Sequence, residues 1–198
     1  MGVALQRSHE DQALNFQHYP AAALPTLALQ GASGLLISGS AYGHRSPVEF
    51  PGRICQLVLT AERDTLIEAP DAVELCLYVV EGAAEVEGQH VGEATMAILS
   101  PHRPCRVKLK AGTRIMFAGG DKLDGLRFLD WSFVASSKER LAKAAADWRA
   151  SIAGGFDGTW FTQPPLKTHW IPLPGDPQPP GRDHIPDDHD DAPPGRKS

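Results

Sequence analysis

The sequence lacks any long apolar run, and this absence excludes the simplest membrane architecture. No stretch of the 198 residues approaches the roughly 18 consecutive apolar residues that a membrane-spanning helix requires. The N-terminal residues, MGVALQRSHEDQALNF, also lack the apolar core of a secretory signal peptide. We therefore expect a cytoplasmic protein that has no membrane partner.

The sequence has no excess of basic residues. Lysine and arginine together number 19 against 24 aspartates and glutamates, which gives a formal net charge of -5. Nucleic-acid binding depends on a dense patch of lysine and arginine that neutralises phosphates. We therefore expect no nucleic-acid partner.

Cysteine and the common catalytic motifs are also scarce. The three cysteines are Cys55, Cys76 and Cys105, and no two of them form a CxxC pair. This spacing supports neither a zinc knuckle nor a dithiol redox motif. Cys76 lies inside the apolar run LCLYVV, so we expect it to be a buried reduced thiol. No GxSxG elbow, Walker A loop or strand-borne GxGxxG is present either.

Composition divides the chain into three zones. Residues 1–26 form a polar leader, residues 27–175 carry nearly all the regular pattern, and residues 176–198 are rich in proline and aspartate. Ten of the seventeen prolines lie between Pro164 and Pro194. Because proline blocks both helices and central strands and the tail has little to bury, we predict that residues 176–198 are disordered.

The sequence of the middle zone predicts many short strands separated by glycine and proline residues typical of turns. This pattern is typical of an all-β sandwich or barrel. The predicted strands are Leu27–Leu29, Gly34–Ala41, Ile54–Thr60, Thr65–Glu68, Leu75–Glu81, Ala84–Glu87, Thr95–Leu99, Arg106–Leu109, Arg114–Ala118 and Arg127–Val134.

One helix is predicted after the last strand. Ser136 can cap it, and Glu139, three residues later, can complete a capping box. Gly154 and Gly155 predict the C-terminal end of the helix. Within the predicted helix, apolar residues recur at three- and four-residue steps and define the face expected to be buried: Leu141, Ala144, Ala145, Trp148 and Ile152.

Several segments resemble the C-terminal half of the pirin family of cupins. The run Val73–Gly92, VELCLYVVEGAAEVEGQHVG, is similar to the first cupin motif, and Ala94–Val107 to the second. Gly39–Val48, GSAYGHRSPV, resembles the opening of the pirin second half, and Ala118–Ile152 and His169–Asp176 resemble its end. These segments occur in the family's order along the chain.

The resemblance implies an all-β fold, a double-stranded β-helix (the cupin or jelly-roll barrel), with one C-terminal α-helix. It also implies that pirins contain two cupins and place their iron in the N-terminal one. No cluster of the HPHRG type precedes the matched region here. We therefore expect a stand-alone second half, a pirin-like protein with a single cupin.

The same resemblance implies where metal ligands would lie, and other residues occupy those positions. Leu75 stands at the glutamate position, the acidic segment Glu68–Asp71 stands where histidines belong, and Arg106 replaces the second-motif histidine. Glu74 is one residue out of register and should point to the opposite face of its strand. We therefore expect no metal and no cofactor. The alternative is a rearranged iron, nickel or copper site formed by Glu74 with His44 or His102.

No residue is singled out as catalytic. The candidates for ligand binding are Glu74, Tyr78, Arg106 and His44, and an acid–base pair in the barrel lumen could also involve Asp130. An arginine at a barrel mouth could hold an anionic ligand through two hydrogen bonds, although pairing with a neighbouring glutamate explains Arg106 equally well.

Three functions stay open at this point. The first is a non-catalytic module that binds a small molecule or a protein; a lone half would expose the apolar surface that its partner half covers, which favours a homodimer. The second is a metal-dependent dioxygenase of the quercetinase type, which the resemblance implies. The third, also implied only by the resemblance, is regulation through a transcription factor.

Overall fold

The chain divides into two units, residues 1–127 and residues 128–198. The computed structural model describes residues 3–13, 15–100, 103–163 and 169–177. Residues 178–198, which are nearly all of the predicted tail, therefore lie outside the described residues. His102, in the middle of the chain, also lies outside them. The zone boundaries at residues 26 and 175 stay predictions.

Among its described residues, the first unit has eleven strands in two antiparallel sheets. The seven-stranded sheet has the order β1-β2-β4-β11-β6-β9, with β3 paired to β2, and the four-stranded sheet has the order β5-β10-β7-β8. The strands are β1 Thr26–Leu29, β2 Ala32–Ala41, β3 His44–Arg45, β4 Ile54–Ala61, β5 Thr65–Glu68, β6 Glu74–Glu81, β7 Ala84–Val86, β8 Gln89–Val91, β9 Met96–Leu99, β10 Arg106–Leu109 and β11 Arg114–Gly120.

Alternating burial shows which face of the seven-stranded sheet looks inward. In β4 every second residue is buried, from Cys55 to Ala61, and the residues between them are half-buried. This period of two follows from the pleat of a strand, which sends successive side chains to opposite faces. The inward side chains with zero exposure are Leu27, Leu36, Leu57, Leu59, Leu77, Val79, Val107, Ile115 and Phe117. The interior is thus packed with apolar side chains, as is usual for small barrels.

The opposite side of the same sheet, called the outer face below, follows from the strand register. One row runs Ser38, Gln56, Ala118, Cys76, Ile98, and a second runs Leu35, Val58, Met116, Tyr78, Met96. All are half-buried except buried Ser38 and the exposed pair Met96 and Ile98.

A bulge at Ile37 sets which side chains of β2 belong to the outer face. Leu36 pairs with Leu57 and Ser38 pairs with Gln56, so Ile37 is an extra residue in the ladder. Such a residue leaves a backbone group unpaired within the sheet. The carbonyl of Ile37 accepts a hydrogen bond from Ser46 Oγ at 2.7 Å, which satisfies it.

The second unit contains two short strands and the helix: β12 Phe128–Asp130, β13 Phe133–Ala135 and α1 Lys138–Ala153. The predicted continuous strand Arg127–Val134 is wrong, because Trp131 has a positive φ of 51° and the chain turns there into a hairpin. The helix cap also differs by one residue. Ser137, rather than Ser136, occupies the cap position, and its Oγ accepts a hydrogen bond from the backbone N–H of Arg140.

An aromatic cluster stabilises the second unit. The ring of Trp148 lies 5.2 to 5.8 Å, centroid to centroid, from the rings of Trp131, Phe156 and Phe161. Its indole N–H donates a hydrogen bond to the carbonyl oxygen of Ile171 at 3.1 Å. Such ring pairs contribute beyond the area they bury, so Trp148 is the centre of this unit.

Within the described residues, no helix is both long enough and apolar enough to cross a bilayer.

Candidate functional site

The strand β6 separates two neighbouring residues of the predicted site onto opposite faces. Leu75 is 9% exposed and belongs to the interior cluster, where it pairs with Leu99 and Gly119. Glu74, at the start of the strand, is exposed on the other side. An apolar side chain therefore occupies the inward position at which the family resemblance expects a carboxylate ligand.

Tyr78 shares the outer face with Glu74, but the two other candidates lie elsewhere. Arg106 begins β10 in the four-stranded sheet, where it is exposed opposite Glu68. His44 is exposed on β3. The structure therefore does not bring Glu74, Tyr78, Arg106 and His44 together in one site.

A metal fit can be judged from the donor side chains. Across residues 3–13, 15–100, 103–163 and 169–177, no three His, Cys, Asp or Glu side chains are grouped so that they could hold a metal ion. His102 lies outside these ranges, and Asp130 belongs to β12 in the second unit. The described residues therefore do not fit the metal that the family implies.

A half-buried tyrosine, Tyr42, and a buried thiol, Cys55, lie beside the apolar interior. The Tyr42 hydroxyl donates a hydrogen bond to the carbonyl oxygen of Glu68 at 2.7 Å. Burial, followed by the nearby Cys55 and Glu68, raises the pKa of Tyr42 well above its usual range. Burial also raises the pKa of the Cys55 thiol to about 11. Both groups are therefore neutral at physiological pH, and neither is prepared to act as a base or a nucleophile.

A cavity of ≈ 1010 Å³ opens between the 12–25 segment and the loop that leads into β4. It was not predicted from the sequence, because its walls come mostly from irregular segments that meet the ends of several strands. Arg53 and Asp121 form an ion pair across part of it, with Nε and Oδ1 3.8 Å apart. The charged side chains lining it carry both signs: Arg45, Glu49, Arg53, Asp71 and Asp121.

A smaller cavity of ≈ 300 Å³ adjoins the loop 50–55 on the outer face. Its lining includes Ser38, Gln56, Ala118 and one of the predicted candidates, Glu74. Ser38 is 3% exposed, and its Oγ has no hydrogen-bond partner among the described residues. The small side chains of Ser38 on β2 and Ala118 on β11, on either side of β4, are the sequence signal that could have indicated this space.

Two antiparallel sheets enclosing one apolar interior, with the motif residues of β6 and β9 in adjacent strands, define a cupin barrel. The family described as the Pirin C-terminal cupin domain matches residues 54–154, just over half of the chain. The chain belongs to this family, and both the predicted resemblance and the predicted fold are confirmed.

Individual relatives agree with this assignment. A "Pirin-like protein" of Caulobacter vibrioides is 33% identical over 150 residues, which are 75% of this chain and 52% of that protein. A Pseudomonas aeruginosa protein named "Putative quercetin 2,3-dioxygenase" is 28% identical and covers 83% of this chain and 54% of its own length. The chain therefore spans about half the length of the curated relatives it matches.

A solved structure shows the same fold. The quercetin 2,3-dioxygenase of Acinetobacter baumannii superposes with a TM-score of 0.69 at 23% identity, covering 85% of this chain and 58% of that one. At this identity the likeness concerns the fold alone.

Proposed function

We propose that this cupin is a non-catalytic module that acts by binding, and that its principal partner is a second copy of itself. The observation that carries the proposal is the contrast along β6. The position expected for a ligand carboxylate holds Leu75 inside a packed apolar interior, whereas the outer face exposes apolar side chains. A filled interior favours function at the surface of the barrel.

The exposed part of the outer face supports self-association. On the edge strand β9, Met96 is 55% exposed and Ile98 is 78% exposed, and they pair with Tyr78 and Cys76 of β6. Contiguous exposed apolar side chains are typical of interaction surfaces. A two-fold homodimer would bring this patch against its own copy and cover both. In two-cupin relatives, the resemblance implies, the partner half covers such a surface.

Sedimentation velocity or light scattering at micromolar concentration tests the proposal. We expect a dimer for the native chain and a monomer for Ile98→Glu, because a charge would be buried at the interface. Leu66→Glu is the matched control, since Leu66 is 50% exposed but lies on β5 in the other sheet. A native chain that is monomeric at tens of micromolar would contradict self-association.

Small-molecule binding is a second candidate, and the cavity of ≈ 1010 Å³ favours it. Ligand sites are typically clefts of this order of size with a few converging polar groups. The mixed charges of Arg45, Glu49 and Asp71 suit a zwitterionic or polar molecule. A thermal-shift screen of polar metabolites should give hits that Arg45→Ala weakens; a screen without hits would argue against this candidate.

A quercetinase-type dioxygenase using a rearranged site is the alternative, supported by the names of relatives. Elemental analysis discriminates the two functions. We expect the chain ending at Asp176 to contain far less than one equivalent of iron, nickel or copper. A stoichiometric metal, together with oxygen uptake on a flavonol, would establish the enzyme instead.

We also propose a cytoplasmic location and no nucleic-acid partner, from the composition described above. Regulation through another protein stays a further proposal, for which pull-down from the native host is the direct test.

A further inference from the structure

The strand β9 is a free edge of the seven-stranded sheet. It lies at the end of the strand order, and among the described strands only β6 pairs with it. Its residues, Met96–Leu99, include no charge and no proline, and their register with β6 has no bulge. The backbone groups on the open side of such a strand are available to pair with another strand.

The strands at the other ends of the two sheets differ from β9. β5 follows Asp64 and ends in Glu68, β8 is only three residues long, and β1 directly follows Pro25. Charged side chains, very short edge strands and prolines all discourage pairing with a further strand. Among these edges, β9 is therefore the one best suited to receive another strand.

The ladder between β6 and β9 shows which backbone groups point to the open side. The N–H of Val79 donates a hydrogen bond to the carbonyl oxygen of Thr95 at 3.0 Å, directly before β9. Bonded and non-bonded pairs alternate along an antiparallel ladder, so Ala97, two residues further on, also bonds to β6. Met96 and Ile98 therefore direct their N–H and C=O groups away from β6, toward the free edge.

The same two residues are complementary to a second copy of themselves. Met96 is 55% exposed and Ile98 is 78% exposed, and both side chains lie on the outer face. Side chains directly opposite each other in an antiparallel pair lie on the same face of a sheet. A two-fold axis through Ala97 would place Met96 opposite Ile98 of the second copy, and each such pair would exchange two backbone hydrogen bonds. An axis through Ile98 would instead pair Met96 with Ser100, which lies beyond the end of β9.

We propose that two copies of this chain pair edge to edge through β9 and join their seven-stranded sheets into one continuous sheet. This pairing rests on the self-association proposed above and specifies its geometry. The outer-face row that ends with Cys76 and Ile98 would continue into the row of the second copy that begins with Met96 and Tyr78. One contact would thus pair the open backbone groups and cover the exposed apolar side chains.

A proline at position 98 separates backbone pairing from side-chain packing. Because the Ile98 N–H points to the free edge, Ile98→Pro leaves the bonds between β9 and β6 in place and removes donors only from the pairing between copies. Ile98→Ala is the matched control, since it shortens the side chain but keeps the N–H.

Sedimentation velocity over a concentration series of the full-length chain measures both variants, and far-ultraviolet circular dichroism checks their folding. We expect Ile98→Pro to weaken dimerisation at least tenfold more than Ile98→Ala. Equal effects of the two variants on a native dimer would refute edge pairing and leave self-association standing. A native chain that stays monomeric at tens of micromolar would contradict both.

A cross-link tests the register even if Ile98→Pro alters folding. In the proposed pairing the two copies of Ala97 face each other as a non-hydrogen-bonded pair with Cα atoms about 4.5 Å apart, which a disulfide can span. We expect Ala97→Cys, in a Cys76→Ala background, to give a disulfide-linked dimer on mild oxidation. Leu66→Cys in the same background is the control, because Leu66 is exposed on β5 in the other sheet and should not cross-link. A native dimer in which Ala97→Cys gives no cross-link, or no more than Leu66→Cys, would overturn the proposal.

Discussion

The two faces of the seven-stranded sheet are formed by the same strands but differ in how their side chains are packed and exposed. The inner face is filled by side chains such as Leu77 and Phe117, which have no solvent exposure. The outer face mixes small, polar and apolar side chains and leaves a cavity at one end and exposed Met96 and Ile98 at the other. The inner face therefore determines the fold, and the outer face carries the exposed side chains on which the proposed self-association depends.

The largest expected effect contrasts neighbouring residues of β11. Phe117→Ala removes a fully buried ring and should lower the free energy of unfolding by about 3–5 kcal/mol. Met116→Ala, on the outer face, should cost about 1 kcal/mol or less, because the side chain is only half-buried. Urea unfolding should be followed by far-ultraviolet circular dichroism, since all four tryptophans lie after residue 127. Equal losses of unfolding free energy for Phe117→Ala and Met116→Ala would contradict the proposed difference between the inner and outer faces.

Placing a carboxylate at Leu75 and an apolar side chain at Glu74 tests whether the two faces also differ in their tolerance of charge. Leu75→Glu should lower stability by about 2–4 kcal/mol at pH 7, from a pKa raised by about 2–3 units on burial. A raised carboxyl pKa favours the protonated folded state, so the loss should shrink as pH falls toward 4. Glu74→Leu should change stability little at either pH. A Leu75→Glu penalty independent of pH would mean that the carboxylate reaches solvent.

Thiol reactivity compares the faces without altering the packing. Cys76 is half-buried on the outer face, whereas Cys55 is 4% exposed and burial raises its pKa to about 11. Burial, together with the nearby Glu87, also raises the pKa of Cys105. At pH 8, in the Ile98→Glu variant, whose outer face we expect to stay uncovered, Cys76 should react with a disulfide reagent at least tenfold faster than the others. Cys76→Ala should remove the fast phase; a fast phase that survives would assign it to a buried thiol.

The smallest effect concerns the wall of the smaller cavity formed by the N-terminus. The Arg127 guanidinium holds the pKa of Asp124 below its ordinary value of 3.8. A lowered carboxyl pKa stabilises the folded contact above pH 3.8, and this contribution is lost as pH falls through the lower folded value. Hydrogen exchange, corrected for intrinsic rates, should show residues 3–10 protected at pH 5 and less protected near pH 2.

The matched variants for this contact are two aspartates with lowered pKa values. Asp124→Asn should expose residues 3–10 to exchange already at pH 5. Asp64→Asn should not, because Asp64 pairs with Lys110 at a distant turn. Protection at pH 5 that Asp124→Asn leaves unchanged would show that other contacts hold this segment.

The regular elements with period-two burial could be predicted from the sequence. In β4 and β6, alternating apolar residues identify both the strand and its inward face, and they place Leu75 inside. The short strands β3 and β8 were missed because they contain two or three mostly polar residues that carry no period. The turn at Trp131 could not be predicted from the sequence, because it requires a positive φ and tryptophan has no preference for that conformation.

The cavities could not be predicted, because they depend on long-range packing. Ser38 would read as a member of the inward row if the alternation of β2 continued from Leu36, and only the pairing with β4 shows the extra residue. Arg127 meets Leu5 across 122 positions of chain, for which the sequence has no local signal. The predicted strand Leu75–Glu81 contains Tyr78 and begins one residue after Glu74, but the distance of these residues from Arg106 and His44 needed the sheet order.

The bulge in β2 has a consequence for how this surface can change over generations. A point substitution at Ser38 alters one side chain, whereas deletion of Ile37 would remove the bulge and leave Leu36 opposite Leu57 and Ser38 opposite Gln56 in a regular ladder. Loss of that codon would also remove the carbonyl that accepts the hydrogen bond from Ser46 Oγ, while Ser38 stayed on the outer face. A deletion at the bulge would thus change the course of the strand, whereas a substitution at Ser38 would change the polarity of the cavity wall.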